Sequence, residues 1–121
     1  MTANSEEQLL VSLLKASSRG SIEMTMILSE NGTPVAYESD NKYYDPEYVA
    51  TAAAVISGAV SSVMELLNAK GYKQVSVDLG DGRKLLIRQY KKQQKLYLVC
   101  LTNTNPNLGF IELLLEEHLP K

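Results

Sequence analysis

The chain has 121 residues, of which 45% are apolar, and a formal net charge of −2. This length and composition predict one domain over residues 1–121, with a core large enough to fold without disulfides. The small acidic surplus argues against nucleic-acid binding. There is no run of about 18 uncharged apolar residues and no basic residue among the first eight. We therefore expect no membrane insertion, no signal peptide and a cytoplasmic location.

The single cysteine, Cys100, lies in the apolar run 96–101. One cysteine excludes an intramolecular disulfide. Its apolar surroundings indicate a buried small hydrophobe in a reducing compartment rather than a reactive thiol.

The first third of the chain predicts a helix followed by a β-hairpin. A capping-box pattern at residues 5–8 begins the helix, and Gly20 ends it. Residues 22–28 alternate apolar and polar, which predicts a strand with one buried face. The Asn-Gly turn at 31–32 leads into a second strand, which Pro34 confines to a sheet edge.

A long helix follows. Asp45 is a typical cap and Pro46 a typical first residue, and the helix should run to about Ala69, a length of about 36 Å. One side carries an apolar stripe: Val49, Ala53, Ile56, Val60, Val63 and Leu67. A second side is uniformly small: Ala50, Ala54, Ser57, Gly58 and Ser61. Glycine in mid-helix costs about 1 kcal/mol relative to alanine. We therefore expect either the domain's own sheet or a partner helix to approach Gly58 closely.

The last third predicts three strands and a helix. Residues 75–79 and 84–88 flank a Gly-Asp-Gly turn and form a hairpin. Residues 96–102 are apolar on both faces of the pleat, as in a central strand. Asn107 caps a final helix, whose Glu112, Glu116, Glu117 and His118 should face solvent. The element order is α-β-β-α-β-β-β-α, an α+β domain with five strands.

No catalytic constellation appears. His118, the only histidine, lacks the partners of a triad or a metal site. The Gly-Asp-Gly turn lies between two strands rather than at a helix start, so it is not a phosphate-binding loop. Only three arginines occur, Arg19, Arg83 and Arg88, which gives little support for an arginine finger. We expect a non-enzymatic protein with no cofactor and no metal.

Three tyrosines are candidates for binding a partner. Tyr43, Tyr44 and Tyr48 lie in and just after the loop that leads to the long helix, and exposed tyrosines are favoured at protein interfaces. The alternative is that Tyr48 packs inward while the other two cover the start of the helix.

The element order resembles the roadblock (dynein light chain) domain. Three local patterns are similar to that family: ILSENGTPVA at 27–36, the Ala-rich ATAAA at 50–54, and NPNLG at 105–109 before a leucine-rich helix. The resemblance covers residues 5–119. These motifs specify architecture better than activity.

The resemblance implies a five-stranded antiparallel sheet with the long central helix on one face and the terminal helices on the other. Members of the family commonly dimerise with the long helices side by side and the third strands edge to edge. Carried onto this chain, the dimer contacts are Ala50, Ala54, Ser57, Gly58 and Ser61 of the helix, and Val75, Ser76, Val77, Asp78 and Leu79 of the strand. Joining two such edges would remove an aggregation-prone strand from solvent.

The resemblance also implies a function. Roadblock-type proteins act as scaffolds or regulators of Ras-like small GTPases, and some accelerate GTP hydrolysis by ordering the GTPase's own residues. The first hypothesis is a non-catalytic adaptor, a homodimer or a heterodimer with a paralogue, that binds a small GTPase. The alternatives are a profilin-like or longin-like interaction module and a small enzyme without a cofactor.

Overall fold

The computed structural model describes residues 5–17, 21–91 and 95–119. The three helices and five strands follow the order predicted from the sequence, which confirms the α+β assignment. They are α1 (Ser5–Ala16), β1 (Ile22–Ser29), β2 (Pro34–Ser39), α2 (Pro46–Leu66), β3 (Gln74–Asp78), β4 (Lys84–Lys91), β5 (Leu96–Thr102) and α3 (Leu108–His118).

The five strands form one antiparallel sheet in the order β2-β1-β5-β4-β3. The prediction that β5 is central is confirmed, and its last five residues are buried. The prediction that β2 lies at an edge is also confirmed. Pro34 is its first residue, a position where the missing backbone N–H does not interrupt the hydrogen bonds between strands. The other edge is β3.

The sheet separates two hydrophobic cores. On one face α1 and α3 pack through Leu10, Leu13, Ile111 and Leu115, together with Cys100 of β5. On the other face α2 packs on the methionines of β1 and on β4 and β5. The arrangement implied by the family resemblance, with the long helix on one face and the terminal helices on the other, is therefore confirmed.

β1 differs from its prediction because it is buried on both faces. A bulge between Ile22 and Met24 shifts the register with β5. Ile22 consequently faces the α1/α3 core, whereas Met24 faces α2. Thr25 is also buried, and its hydroxyl donates to the carbonyl oxygen of Leu10 at 3.1 Å. The sequence pattern did not reveal the second buried face, because Thr25 is polar and polar residues in a strand usually face solvent. Here its hydroxyl is hydrogen-bonded to a helix carbonyl, which allows it to be buried.

The long helix begins as predicted and ends earlier. The carboxylate of Asp45 accepts a hydrogen bond from the backbone N–H of Glu47 at 2.9 Å. At the other end the N–H of Leu67 donates to Val63 at 3.0 Å, and Asn68 adopts a positive φ of 54°. The last helical residue is Leu66 rather than Ala69, because the left-handed turn at Asn68 stops the helix.

A buried arginine connects α3 to the sheet. Arg88 of β4 donates from Nε to Oε1 of Gln74 at 2.6 Å and from Nη1 to Oε1 of Glu116 at 3.1 Å, and it also pairs with Glu112. Glu116 and Glu117 are exposed as predicted, and His118 and Glu112 are half-buried. The sequence did not reveal that Glu112 and Glu116 also pair with Arg88. Both lie over the buried Arg88, which would otherwise be an unpaired charge in the core.

Cys100 is buried as predicted, with 1% of its surface exposed. Burial raises the pKa of its thiol to about 12. The thiol therefore stays protonated at neutral pH and behaves as an inert core residue.

Candidate protein-interaction site

An exposed apolar stripe runs along α2. The helix buries only Val49, Ala50, Ala53 and Ser57 against the sheet. On its outer side Val55 is 68% exposed and Leu66 is 85% exposed. The α2 stripe, as we call it, comprises Tyr48, Ala52, Val55, Ala59, Val63 and Leu66, all of which are exposed. Spacings of three and four residues place these side chains on one side of the helix.

The predicted small-residue face of α2 is divided between the sheet and solvent. Ala50 is 1% exposed. The Ser57 hydroxyl lies 3.4 Å from the Tyr72 hydroxyl, within the domain. Ala54 packs towards Gly32 in the β1–β2 turn, since a Cβ added there would lie 3.1 Å from the Ala54 Cβ. Ala50 and Ser57 are therefore buried within the domain, and the assignment of the small residues to a dimer contact stays a prediction.

The remaining two small residues lie at the surface. Gly58 and Ser61 are exposed. Within the described part of the chain, no heavy atom lies within 4 Å of a Cβ built on Gly58. The close neighbour expected for Gly58 is thus not provided by the domain's own sheet.

The β3 segment lies where its prediction places it, at a sheet edge. β3 pairs with β4 over all five residues. Val75, Val77 and Leu79 are half-buried on the α2 side of the sheet. Ser76 and Asp78 are exposed. The edge position is confirmed, and its use in a dimer remains a prediction.

Residues 40–45, between β2 and α2, form a loop that we call the tyrosine loop. Asn41 holds this loop in a defined shape. The side-chain oxygen of Asn41 accepts hydrogen bonds from the backbone N–H groups of Tyr43 and Tyr44, both at 2.7 Å. Tyr43 projects into solvent with 88% of its surface exposed, and Tyr48 is also exposed. The alternative in which Tyr48 packs inward is therefore wrong. The loop presents aromatic side chains on a backbone that is already ordered.

An ion-pair network joins this loop to the β3–β4 turn. Oε1 of Glu23 accepts from Nη2 of Arg83 at 3.1 Å and from the Asn41 side-chain amide at 2.8 Å. The Arg83 guanidinium also lies 5.6 Å from the centroid of the Tyr44 ring, a distance that allows a cation–π contact. Asp81 pairs with Arg83 from the turn itself. The pKa of Asp81 is lowered by hydrogen bonding from the backbone of Arg83 and then by its guanidinium.

An apolar groove lies between the tyrosine loop, α2 and the end of β3. Its volume is about 260 Å³. The residues that line it are Tyr44, Tyr48, Val49, Ala52, Leu79, Leu85 and Leu101. Tyr48 and Ala52 belong to the α2 stripe, whereas Leu79 directly follows β3. The groove therefore brings the start of the stripe and the tyrosine loop close to the residue that follows β3.

The described residues offer little for catalysis. Among them there is no group of three or more histidine, cysteine or acidic side chains placed to hold a metal ion. Nδ1 of His118 lies 2.9 Å from the carbonyl oxygen of Leu114. Arg83 and Arg88 are both ion-paired with only small parts of their side chains exposed, and Arg19 lies outside the described residues. Neither described arginine is positioned to act as an arginine finger.

By length and composition alone, α2 is apolar enough to cross a membrane. The core helix of a soluble protein meets the same test, and Ala50 and Ala53 of α2 are packed on the sheet. Only 17% of the apolar window is buried inside the domain. The rest of that window is exposed.

The protein is a small α+β domain. A five-stranded antiparallel sheet lies between one long helix and two terminal helices, the long helix carries an apolar stripe, and β3 forms a free edge of the sheet. The sequence profile of the Roadblock/LC7 domain matches residues 7–102. The chain therefore belongs to the Roadblock/LC7 family, as the resemblance in the sequence indicated.

Solved structures share this fold at low sequence identity. MglB from Myxococcus xanthus is similar with a TM-score of 0.79 and 14% identity, over 97% of this chain and 91% of that chain. The gliding protein MglB from Thermus thermophilus has a TM-score of 0.74 and 16% identity, over 98% and 88%. A Roadblock/LC7 domain from Streptomyces avermitilis has a TM-score of 0.64 and 22% identity, over 95% of both chains. No curated protein matches the chain in sequence. At these identities the likeness shows the fold alone.

Proposed function

We propose that this chain is a non-catalytic adaptor of the Roadblock/LC7 family that dimerises and binds a Ras-like small GTPase. We further propose that it regulates GTP hydrolysis by that GTPase. The observation that carries the proposal is the exposed α2 stripe beside the free β3 edge. In this proposal the protein acts through its binding surfaces, the α2 stripe and the β3 edge, and not through a catalytic site.

The surface chemistry supports self-association. A contiguous apolar patch of this kind marks an interaction site more often than it occurs by chance on a monomer. A free strand edge is a template for pairing with another chain. The start of the stripe and the residue that follows β3 line one groove, so we expect a second copy to contact both features. MglB has been solved in a tetrameric arrangement, so self-association occurs in another protein of this fold.

Membership of the Roadblock/LC7 family supports a small GTPase as the partner, since the resemblance to roadblock-type proteins implies a scaffold or regulator of small GTPases. The state of the arginines favours one mode of action. Arg83 and Arg88 are held by Glu23, Glu112 and Glu116, so stimulation of hydrolysis would proceed by ordering the GTPase's own residues. The exposed Tyr43 is the candidate anchor for the partner.

The experiment has two arms. Light scattering on the purified chain over a range of concentrations measures its mass, and we expect twice the monomer mass. Small GTPases from the same organism, loaded with GDP or a non-hydrolysable GTP analogue, are then titrated against it, and single-turnover hydrolysis is followed with and without the chain. A monomer that binds none of them would overturn the proposal and favour the profilin-like or longin-like alternative.

A further inference from the structure

The second edge of the sheet, formed by β2, carries backbone groups that point away from the sheet. Directly after this strand, the N–H of Asp40 donates to the carbonyl oxygen of Glu23 at 2.8 Å. In an antiparallel pair, alternate residues exchange hydrogen bonds with the same neighbour. Glu38 therefore bonds to β1 as well, whereas the backbone N–H and C=O groups of Tyr37 and Ser39 point outward. An edge of this kind can accept an extended segment of another chain.

A groove runs between this edge and α1. It consists of two cavities of about 370 and 250 Å³, and Glu38 lines both. Val11 and Leu14 of α1 are half-buried, so apolar surface forms part of the groove. The α1–β2 groove, as we call it, is lined by Glu7, Val11, Leu14 and Lys15 of α1, by residues 34–38 of β2 and by Asp40.

Negative charge predominates in the α1–β2 groove. The carboxylates of Glu7, Glu38 and Asp40 line it, together with one cation, Lys15. Neither Glu38 nor Asp40 takes part in an ion pair within the described residues. A second copy of β2 would bring more carboxylates to this place, and like charges destabilise paired strands. A segment that carries lysine or arginine would instead be attracted.

The two faces of β2 have different surroundings. Ala36 packs against the core that α1 and α3 form. Tyr37 lies opposite Met26, which packs in the α2 core, so the Tyr37 side chain is on the α2 side of the sheet. It is 52% exposed, and Val35 is 51% exposed. A strand added beside β2 would therefore meet carboxylates on one face and exposed apolar side chains on the other.

We propose that β2 accepts an extended segment of a partner protein as an additional strand, and that this segment alternates basic and apolar residues. Backbone hydrogen bonds to Tyr37 and Ser39 hold it at the edge. Its basic side chains enter the α1–β2 groove, where their aliphatic stems cover Val11 and Leu14 and their charged ends reach the carboxylates. Pro34 and the register shift beside it limit pairing at the beginning of β2, so the contact involves the second half of the strand.

This inference goes beyond the proposed function and does not depend on it. β2 and β3 are opposite edges of the sheet. A segment bound at β2 therefore leaves the β3 edge free for a second copy of the chain.

Titration of the full chain followed by nuclear magnetic resonance tests the proposal. The probe is a blocked octapeptide of alternating lysine and valine. One control peptide has glutamate in place of lysine, and a second carries a methyl group on every backbone nitrogen, which removes the N–H groups that strand pairing needs. We expect the lysine peptide to shift the amide resonances of residues 35–39 and of Val11 and Leu14. Both control peptides should bind at least roughly tenfold more weakly.

Variants of the chain test the role of charge. The double variant Glu38→Gln with Asp40→Asn keeps the size of both side chains and removes both charges. We expect it to bind the lysine peptide about 3–10-fold more weakly, as loss of two surface ion pairs predicts. Glu65→Gln is the matched control, because Glu65 is an exposed carboxylate of α2 outside the groove, and its affinity should be unchanged.

The outcomes separate the proposal from its alternatives. Shifts in β2 that need lysine, backbone N–H groups and both carboxylates support it. Equal binding of the methylated peptide would show attraction by charge without strand pairing. Equal binding of the glutamate peptide, or an unchanged affinity of the double variant, would show that the carboxylates do not select the partner. Each of these results overturns the proposal.

Two further results would overturn it as well. The first is the absence of shifts in β2 at millimolar peptide. The second is a change in the β2 resonances with protein concentration alone, which would identify a second copy of the chain as the occupant of this edge. Neither result bears on the dimer proposed through α2 and β3.

Discussion

The guanidinium of Arg83 donates two hydrogen bonds to one oxygen of Glu23, from Nε at 3.3 Å and from Nη2 at 3.1 Å. These residues are 60 positions apart in the chain. Their contact fixes the β3–β4 turn against β1, and Asn41 bonds to the same carboxylate oxygen. The shape of the tyrosine loop thus depends on a charge pair that lies beneath it.

Replacement of that arginine should loosen the loop. In Arg83→Met the cation that faces Glu23 and the Tyr44 ring is absent. We expect the backbone amides of Tyr43 and Tyr44 to exchange with deuterium about 5–30-fold faster, which corresponds to about 1–2 kcal/mol. Lys84→Met is the matched control, because Lys84 pairs with Asp78 instead. Equal exchange rates in the two variants would show that the ion pair does not order the loop.

Charge placed on the α2 stripe should break the dimer. Val55→Glu buries an unpaired carboxylate in the proposed contact, at a cost of several kcal/mol, so the dissociation constant should rise by about 100-fold or more. Ser61→Glu places the same charge on an exposed position outside the stripe and should leave the dimer intact. Analytical ultracentrifugation measures both. If Ser61→Glu broke the dimer and Val55→Glu did not, the dimer contact would lie on the small-residue face predicted from the sequence.

Gly82 should tolerate no side chain. It has a positive φ of 99°, and an added Cβ would overlap the carbonyl oxygen of Thr104. We expect Gly82→Ala to lower the free energy of unfolding by about 1–3 kcal/mol, measured by urea denaturation. Gly80→Ala, in the same turn, meets no atom within 4 Å among the described residues and should change it by less than about 0.5 kcal/mol. Similar losses in both variants would contradict the steric explanation.

Acid should weaken the attachment of α3. The pKa of Glu116 is lowered below its usual 4.5, first by the hydrogen bond from Arg88 and then by Lys73. A carboxylate whose pKa falls on folding stabilises the folded state only while it is ionised. Its contribution is therefore present above about pH 4.5 and is lost as the pH falls through the folded-state pKa.

The test compares urea unfolding between pH 7 and pH 3 in Glu116→Gln and in Glu117→Gln, which replaces an exposed neighbour. Glu116→Gln should be less stable than the native chain at pH 7, and the difference should shrink towards pH 3. Glu117→Gln should follow the native chain at every pH. A constant deficit for Glu116→Gln would contradict an electrostatic role.

Local patterns predicted most of the fold. The Asp45-Pro46 helix start, the turns at 31–32 and 80–82, and the two-sided apolar strand 96–102 each depend on residues within a few positions of one another. The element order was therefore confirmed, as was the edge position of β2. Patterning failed at β1, where a bulge and a buried Thr25 depend on a strand and a helix elsewhere in the chain.

The candidate site was likewise predicted in part from the sequence, and the rest depended on the tertiary structure. The sequence determined that the protein has a long apolar helix and a tyrosine loop, and the family resemblance implied that the third strand forms an edge. Only the tertiary structure decided which side of that helix the sheet covers: Ala50 and Ser57 face inward, and Val55 and Leu66 face solvent. It also decided that Arg88 holds Glu112 and Glu116. These outcomes depend on how the helices pack on the sheet, and a helix with apolar residues on two sides does not reveal, by itself, which side will be buried.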